Sequence, residues 1–188
     1  NGALVAAVRM ITGIRPLVVG PGMKTGLNIA LDNPATMGSD LVVGAAAALA
    51  LHAPPLIIID MGTATTMTVI DREARVLGGA IIPGVGISLE ALASGTSQLP
   101  RISLDAPKKC ICSETVEAMR SGSVYGTAAM LDGMIARMED ELGEPAAVIA
   151  TGGLGGIVIP HCRREVIYDK NLLLNGLWEL YQKNKRKR

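Results

Sequence analysis

The sequence predicts an α/β fold. Two apolar runs, Leu56-Ile57-Ile58-Ile59 and Ala146 to Ala150, each lead into a loop carrying glycine and threonine, the pattern of buried central strands. The alternating stretch Thr65 to Ile70, the turn residues Asp71-Arg72-Glu73 and a partner run Val76 to Ile82 add a hairpin beside the first of these strands. Stretches of helical spacing lie between them. Hairpin strands followed by alternating helix and strand define the class.

Taken in order, Ala3 to Thr12 reads as a helix with Leu4, Val5, Val8 and Ile11 on one face, and Leu17-Val18-Val19 as a short strand after it. This reads as the middle of a domain, so a segment is expected to precede Asn1. A loop rich in Gly, Asn, Asp and Pro runs from Gly20 to Gly38. A helix of small residues follows from Ser39 to Leu51, and Pro54-Pro55 breaks it. Beyond the hairpin, Leu89 to Ala93 is a short helix. Glu114 to Leu142 is a long one, with apolar residues at Val116, Met119, Met130, Met134, Met138 and Leu142. Its Gly122-x-x-x-Gly126 spacing lowers helix propensity but permits close helix packing. Val166 to Tyr168 is a last strand, and Leu172 to Gln182 a closing amphipathic helix.

Composition narrows the classes. Of the 188 residues 49% are apolar, yet aromatics make up 2% and Phe is absent, so the core must be built from Ile, Leu, Val, Met and Ala. A net charge of +1 gives no overall footprint for nucleic acid. The basic run Lys183-Asn184-Lys185-Arg186-Lys187-Arg188 reads as a solvated end. Cys110, Cys112 and Cys162 form no CxxC pair, which favours neither a disulfide framework nor a zinc site and fits a reducing cytoplasm. His52 and His161 stand alone, and no apolar run reaches membrane-spanning length.

Three loops carry the chemistry. In Asp60-Met61-Gly62-Thr63-Ala64-Thr65, Gly62 allows close backbone approach, Thr63 and Thr65 offer hydroxyls to phosphate oxygens, and Asp60 at a strand tip can hold a cation beside them. The bland alternative is a hairpin with a threonine-rich turn. Thr151-Gly152-Gly153 lets a nucleotide approach the backbone after a second buried strand, or is simply a turn. Asp32-Asn33-Pro34-x-x-x-Gly38-Ser39-Asp40 opens a helix. There Ser39 and Asp40 either cap the helix, or Asp40 accepts a proton from a substrate hydroxyl during phosphoryl transfer.

The order of these loops resembles the superfamily of acetate and sugar kinases and actin, which bind ATP between two related domains. In detail the chain resembles type III pantothenate kinase. The stretches that carry this are Gly20-Pro21-Gly22-Met23-Lys24-Thr25-Gly26-Leu27, Asp32-Asn33-Pro34 through Asp40, Asp60 through Thr66, Gly78-Gly79-Ala80-Ile81-Ile82-Pro83-Gly84 and Thr151-Gly152-Gly153-Leu154. Leu99-Pro100 and the segment Thr115 to Gly122 are similar to further family segments.

The resemblance implies an actin-like ATPase (ribonuclease H-like) fold of two related domains, the first incomplete over residues 1–53 and the second spanning 54–188. It implies ATP-dependent phosphorylation of pantothenate to 4′-phosphopantothenate, the first step toward coenzyme A, by a cytoplasmic homodimer acting without nucleic acid or membrane. Asp40 matches the catalytic base. Gly38, Ser39, Asp40 and Leu41 match the pantothenate-binding stretch, and Thr115 a further substrate contact. Asp60 matches the ligand of a monovalent cation, potassium or ammonium. Thr63 matches an ATP contact, with Gly62, Thr65, Gly152 and Gly153 expected on the same nucleotide. Magnesium is the expected companion of ATP.

Three departures stand out. Leu41 replaces an Arg common after the catalytic Asp, and Leu31 replaces a Tyr common before Asn-Pro. The family's opening Asp-x-Gly-Asn-Thr phosphate loop does not occur in these 188 residues. The 188 residues alone are therefore expected to be almost inactive. Two alternatives remain beside the leading one: a non-catalytic regulatory or transcriptional accessory protein, and a superfamily kinase for another hydroxylated acid.

Overall fold

The computed structural model describes residues 2–185. Helix α1 (Gly2–Thr12) leads through a long loop to β1 (Asn28–Ile29), a 3-10 turn (Pro34–Thr36) and α2 (Ser39–Leu51). Next come β2 (Leu56–Met61), β3 (Ala64–Ile70), β4 (Arg75–Pro83), α3 (Val85–Ser94) and α4 (Thr115–Leu142). The chain closes with β5 (Ala147–Thr151), α5 (Gly155–Val158), β6 (Ile167–Tyr168) and α6 (Leu172–Asn184). The strands form one six-stranded sheet in the order β1-β4-β3-β2-β5-β6. β2, β3 and β4 pair antiparallel, while β1 joins β4, β5 joins β2 and β6 joins β5 in parallel.

The apolar run of β2 is explained by helices on both faces of the sheet. Ile57, Ile59 and Met61 pack with Ala128, Leu131 and Ile135 of α4. Leu56 and Ile58 pack with Ala45, Ala47 and Ala48 of α2. Helix α2 is buried through Val43–Ala48 because α6 covers its outer side, and a helix enclosed all round is apolar all round. Alanines there keep the layers close. A Cβ on Gly176 of α6 would overlap the carbonyl oxygen of Val43. Thus α2, on the N-terminal side of the division expected at residues 53 and 54, shares a core with β2, β3, β5 and α6.

Local rules set the remaining boundaries. Glu114 caps α4 by accepting the N–H groups of Val116 and Glu117, and Gly143 ends it in the left-handed conformation at φ 74°. The β3–β4 turn is tied by Asp71, which accepts the Arg75 backbone N–H at 2.8 Å and its guanidinium Nε at 2.7 Å. The Arg75 contacts outweigh burial and hold the Asp71 carboxyl below its ordinary range.

Two sequence expectations need correction. Leu17-Val18-Val19 is not a strand: Pro16 and the Gly20-Pro21-Gly22 turn leave only three residues, Leu17 and Val18 are exposed, and the sheet edge beside β4 is taken by Asn28–Ile29. Helix α3 begins at Val85, not Leu89, because Gly84 serves as its N-cap. Helix α1 stands where the sequence placed it, and its apolar face contributes no buried residue within this chain. Within this chain no helix packs closely on Gly122 and Gly126: a Cβ on either would have nothing within 4 Å. They line an open groove of about 620 Å³ between α3 and α4. Of the basic end, Arg186, Lys187 and Arg188 lie outside the described residues.

Candidate active site

Strand alternation carries Asp60 to its place. Residues i and i+2 share a face, so Asp60 continues the side of Leu56 and Ile58, toward α2. β3 sets Thr66 opposite Asp60, and β5 sets Thr151 beside it. The N-terminus of α2 closes the space above. Asp40, Asp60, Thr66, Thr68 and Thr151 line one small cleft with Leu41, Gly44, Ile58 and Leu173. The cavity is about 10 Å³, room for one water-sized group.

The electrostatics are those of two like charges face to face. Burial pushes the Asp60 carboxyl above its ordinary value, and the nearby Asp40 charge raises it further. Only oxygen donors surround this spot: two carboxylates and three threonine hydroxyls. Such a set suits a hard cation, whose charge would relieve the repulsion. Among the described residues, no group of three or more His, Cys, Asp and Glu side chains forms a conventional metal cluster.

Asp40 does not cap α2. The N-cap is Gly38, which has no side chain to serve, so the capping alternative for Ser39 and Asp40 does not hold. Asp40 sits one residue into the helix, and its Oδ1 accepts the Leu41 N–H at 3.0 Å. Glycine is needed at 38, since a Cβ there would lie 2.5 Å from that Oδ1. The Ser39 hydroxyl points elsewhere and donates to the Val19 carbonyl at 3.5 Å.

The nucleotide candidates gather at the C-terminal ends of β2 and β5. Gly62 and Thr63 form the exposed β2–β3 turn. Gly84 braces it, donating its N–H to the Thr63 carbonyl at 3.2 Å. Gly152, at φ +99°, presses on β2, and a Cβ there would lie 2.5–2.6 Å from the Met61 N, C and O atoms. Gly153 has nothing within 4 Å and faces open space.

Two candidates stand apart. Thr65 points to the opposite face of the sheet, fully buried, and its hydroxyl has no hydrogen-bond partner. Thr115 is exposed at the start of α4, in the groove with Gly122 and Gly126, and shares no cavity with Asp40. Thr66, Thr68 and Thr151 were not singled out in the sequence as site residues. The period-2 spacing of Thr66 and Thr68 was a visible signal, but assigning their face required the register with Asp60.

A second pocket adjoins the cleft. It measures about 150 Å³ and is lined by Leu31, Thr36, Met37 and Leu41, with Thr66, Thr68 and the strand segment 78–81. Leu41, Thr66 and Thr68 belong to both cavities. The two leucines at departing positions, Leu31 and Leu41, therefore face one space.

The sheet with helices on both faces and strand-end loops around a carboxylate pair define an α/β protein of the actin-like ATPase fold. Solved structures agree at the level of fold. A conserved putative Baf family transcriptional activator from Campylobacter jejuni matches with a TM-score of 0.60 and 22% identity, over 85% of this chain and 70% of that one. The ethanolamine utilization protein EutJ from Carboxydothermus hydrogenoformans matches at 0.51 and 17%, over 97% and 71%.

Sequence comparison fixes the family. Residues 1–137 match the type III pantothenate kinase family. A type III pantothenate kinase from an Exiguobacterium species is 47% identical over 173 residues, covering 92% of this chain and 68% of the relative. One from Bacillus cytotoxicus is 45% identical over 171 residues, covering 91% and 65%. The chain belongs to the type III pantothenate kinase family and spans about two thirds of the length of these relatives. The reaction that goes with the family is ATP-dependent phosphorylation of pantothenate, at the head of coenzyme A biosynthesis.

Proposed function

We propose that the protein phosphorylates the terminal hydroxyl of pantothenate from ATP, with Asp40 as general base. The observation that carries this reading is the convergence of Asp40 and Asp60 in one cleft that shares Leu41, Thr66 and Thr68 with a neighbouring pocket of a size to take part of an acceptor. As the acceptor oxygen attacks the γ-phosphoryl group, its proton passes to the Asp40 carboxylate, and ADP leaves with the electron pair of the broken P–O bond. Catalysis is then mostly positioning and charge neutralisation.

In this reading Gly38 and Ser39 shape the acceptor side of the helix start, and Leu41 contributes an apolar wall. Asp60 holds a potassium or ammonium ion; its raised pKa beside Asp40, and the hydroxyls of Thr66 and Thr151, support that role. The exposed Thr63 turn and the Gly152-Gly153 turn meet the nucleotide, and magnesium travels with the phosphates. Thr115 lies outside the Asp40 cleft, which fits a homodimer in which the α3–α4 groove of one protomer approaches the acceptor site of its partner. A cytoplasmic setting agrees with this substrate pair, and no helix among the described residues is long and apolar enough to cross a membrane. The reading is tested by pantothenate-dependent release of ADP from ATP, abolished or nearly so in Asp40→Asn. ADP release that ignores pantothenate would defeat it.

A further inference from the structure

The segment 152–156 reads Gly152-Gly153-Leu154-Gly155-Gly156, four glycines in five residues. Glycine loses more conformational freedom on ordering than any other residue. A backbone surface for phosphate or nucleotide built from such a segment binds well only if something outside it holds it in place beforehand. The structure supplies that support on one side from β2, where Gly152 presses on Met61. On the other side it supplies Tyr168.

Tyr168 ends β6, and its pairing with Ala150 brings it level with the turn that follows β5. Its hydroxyl donates to the Gly152 carbonyl at 2.8 Å. The Gly152 carbonyl oxygen also accepts the Gly155 N–H at 3.2 Å. The ring packs on the glycines at the start of α5. A Cβ on Gly155 would overlap its Cε2 atom, and a Cβ on Gly156 would touch Cε1 at 3.5 Å. Gly152 is thus fixed by strand and tyrosine together, while Gly153 beside it is left open.

We propose that Tyr168 is a positioning residue for ATP: its hydroxyl and ring hold the glycine turn in the binding conformation before the nucleotide arrives. The inference rests on the reading of Gly152-Gly153 as a nucleotide surface. Tyr168 acts through the turn and has no part in the acceptor site, so it sets ATP affinity and leaves turnover and pantothenate affinity alone.

The test compares Tyr168→Phe, Tyr168→Ala and Gly153→Val in the active enzyme, by calorimetric ATP titration, steady-state kinetics for both substrates and a thermal melt. Tyr168→Phe keeps the ring and removes the donor. One hydrogen bond of ordinary net strength corresponds to about a three- to tenfold loss of ATP affinity. That loss is expected with kcat and the KM for pantothenate unchanged and the melt lowered by no more than about 6 °C. Tyr168→Ala should lose more ATP affinity and also melt earlier. A Tyr168→Phe enzyme with wild-type ATP affinity would reduce the residue to packing and overturn the proposal. So would a loss shared equally by both substrates. Gly153→Val reports on the underlying reading separately. It should abolish ATP binding, and wild-type affinity there would remove the nucleotide surface itself, whatever Tyr168 does.

Discussion

Replacing Gly152 by Ala probes the joint between the nucleotide turn and the sheet. Gly152 has φ +99°, and its Cβ position lies 2.5 Å from the Met61 carbonyl oxygen and 2.6 Å from that residue's N and C atoms. A left-handed backbone costs an L-residue about 1–2 kcal/mol. The overlap is with strand backbone, which cannot swing aside as a side-chain tip can, and overpacking of this kind costs about 1–3 kcal/mol. Together these give about 2–5 kcal/mol, which for a chain of this size lowers the melting temperature by about 4–20 °C. The control is Gly153→Ala, whose Cβ meets nothing within 4 Å. It should stay within about 0.5 kcal/mol of wild type, as for a surface substitution. Thermal melts followed by circular dichroism decide the matter. Equal melting of the two variants, or a silent Gly152→Ala, would refute the reasoning from close approach.

Asp60 gives two further predictions. Its folded pKa is raised above the ordinary value of 3.8 by burial and by Asp40, so its contribution to stability is fully present below that value and is lost as pH rises through the folded pKa. In potassium-free buffer Asp60→Asn should therefore melt above wild type at pH 7, with the gap closing below about pH 4; a pH-independent gap would contradict the assignment. Turnover should be higher in potassium or ammonium than in sodium, and Asp60→Asn should weaken that dependence. Equal rates in both salts, with the variant unaffected, would remove the cation from Asp60.

Much of this was legible in the sequence because local rules and tertiary structure agree. The run Leu56 to Ile59 suits a buried central strand and is one, and the helix from Ser39 to Leu51 has the limits expected of it. The motif order placed Asp40, Asp60 and the glycine turn on one functional list before any cavity was visible. What escaped the sequence depended on partners far along the chain. The residues 17–19 have strand character, but strand formation needs an edge, and the edge of β4 was taken by Asn28–Ile29. Ser39 and Asp40 look like capping residues until Gly38 is seen to occupy the cap. Thr65 has the right chemistry in the right motif, yet the period of two turns it away from Asp60 and presents Thr66 instead. Tyr168 carries no motif at all. Its role appears only when β6 is docked beside β5.

The central claim is that Asp40 takes the proton from the acceptor hydroxyl, and turnover of Asp40→Asn tests it most directly. Asn keeps the shape of the side chain, and Gly38, not Asp40, caps the helix, so folding should be preserved. ATP affinity should also hold, because the nucleotide turns are built from other residues. A general base contributes about 10²- to 10⁴-fold to rate. Pantothenate-dependent ADP release by the Asp40→Asn enzyme should therefore fall by about that factor, with melt and ATP titration unchanged. Wild-type turnover in a folded, ATP-binding Asp40→Asn enzyme would contradict the account.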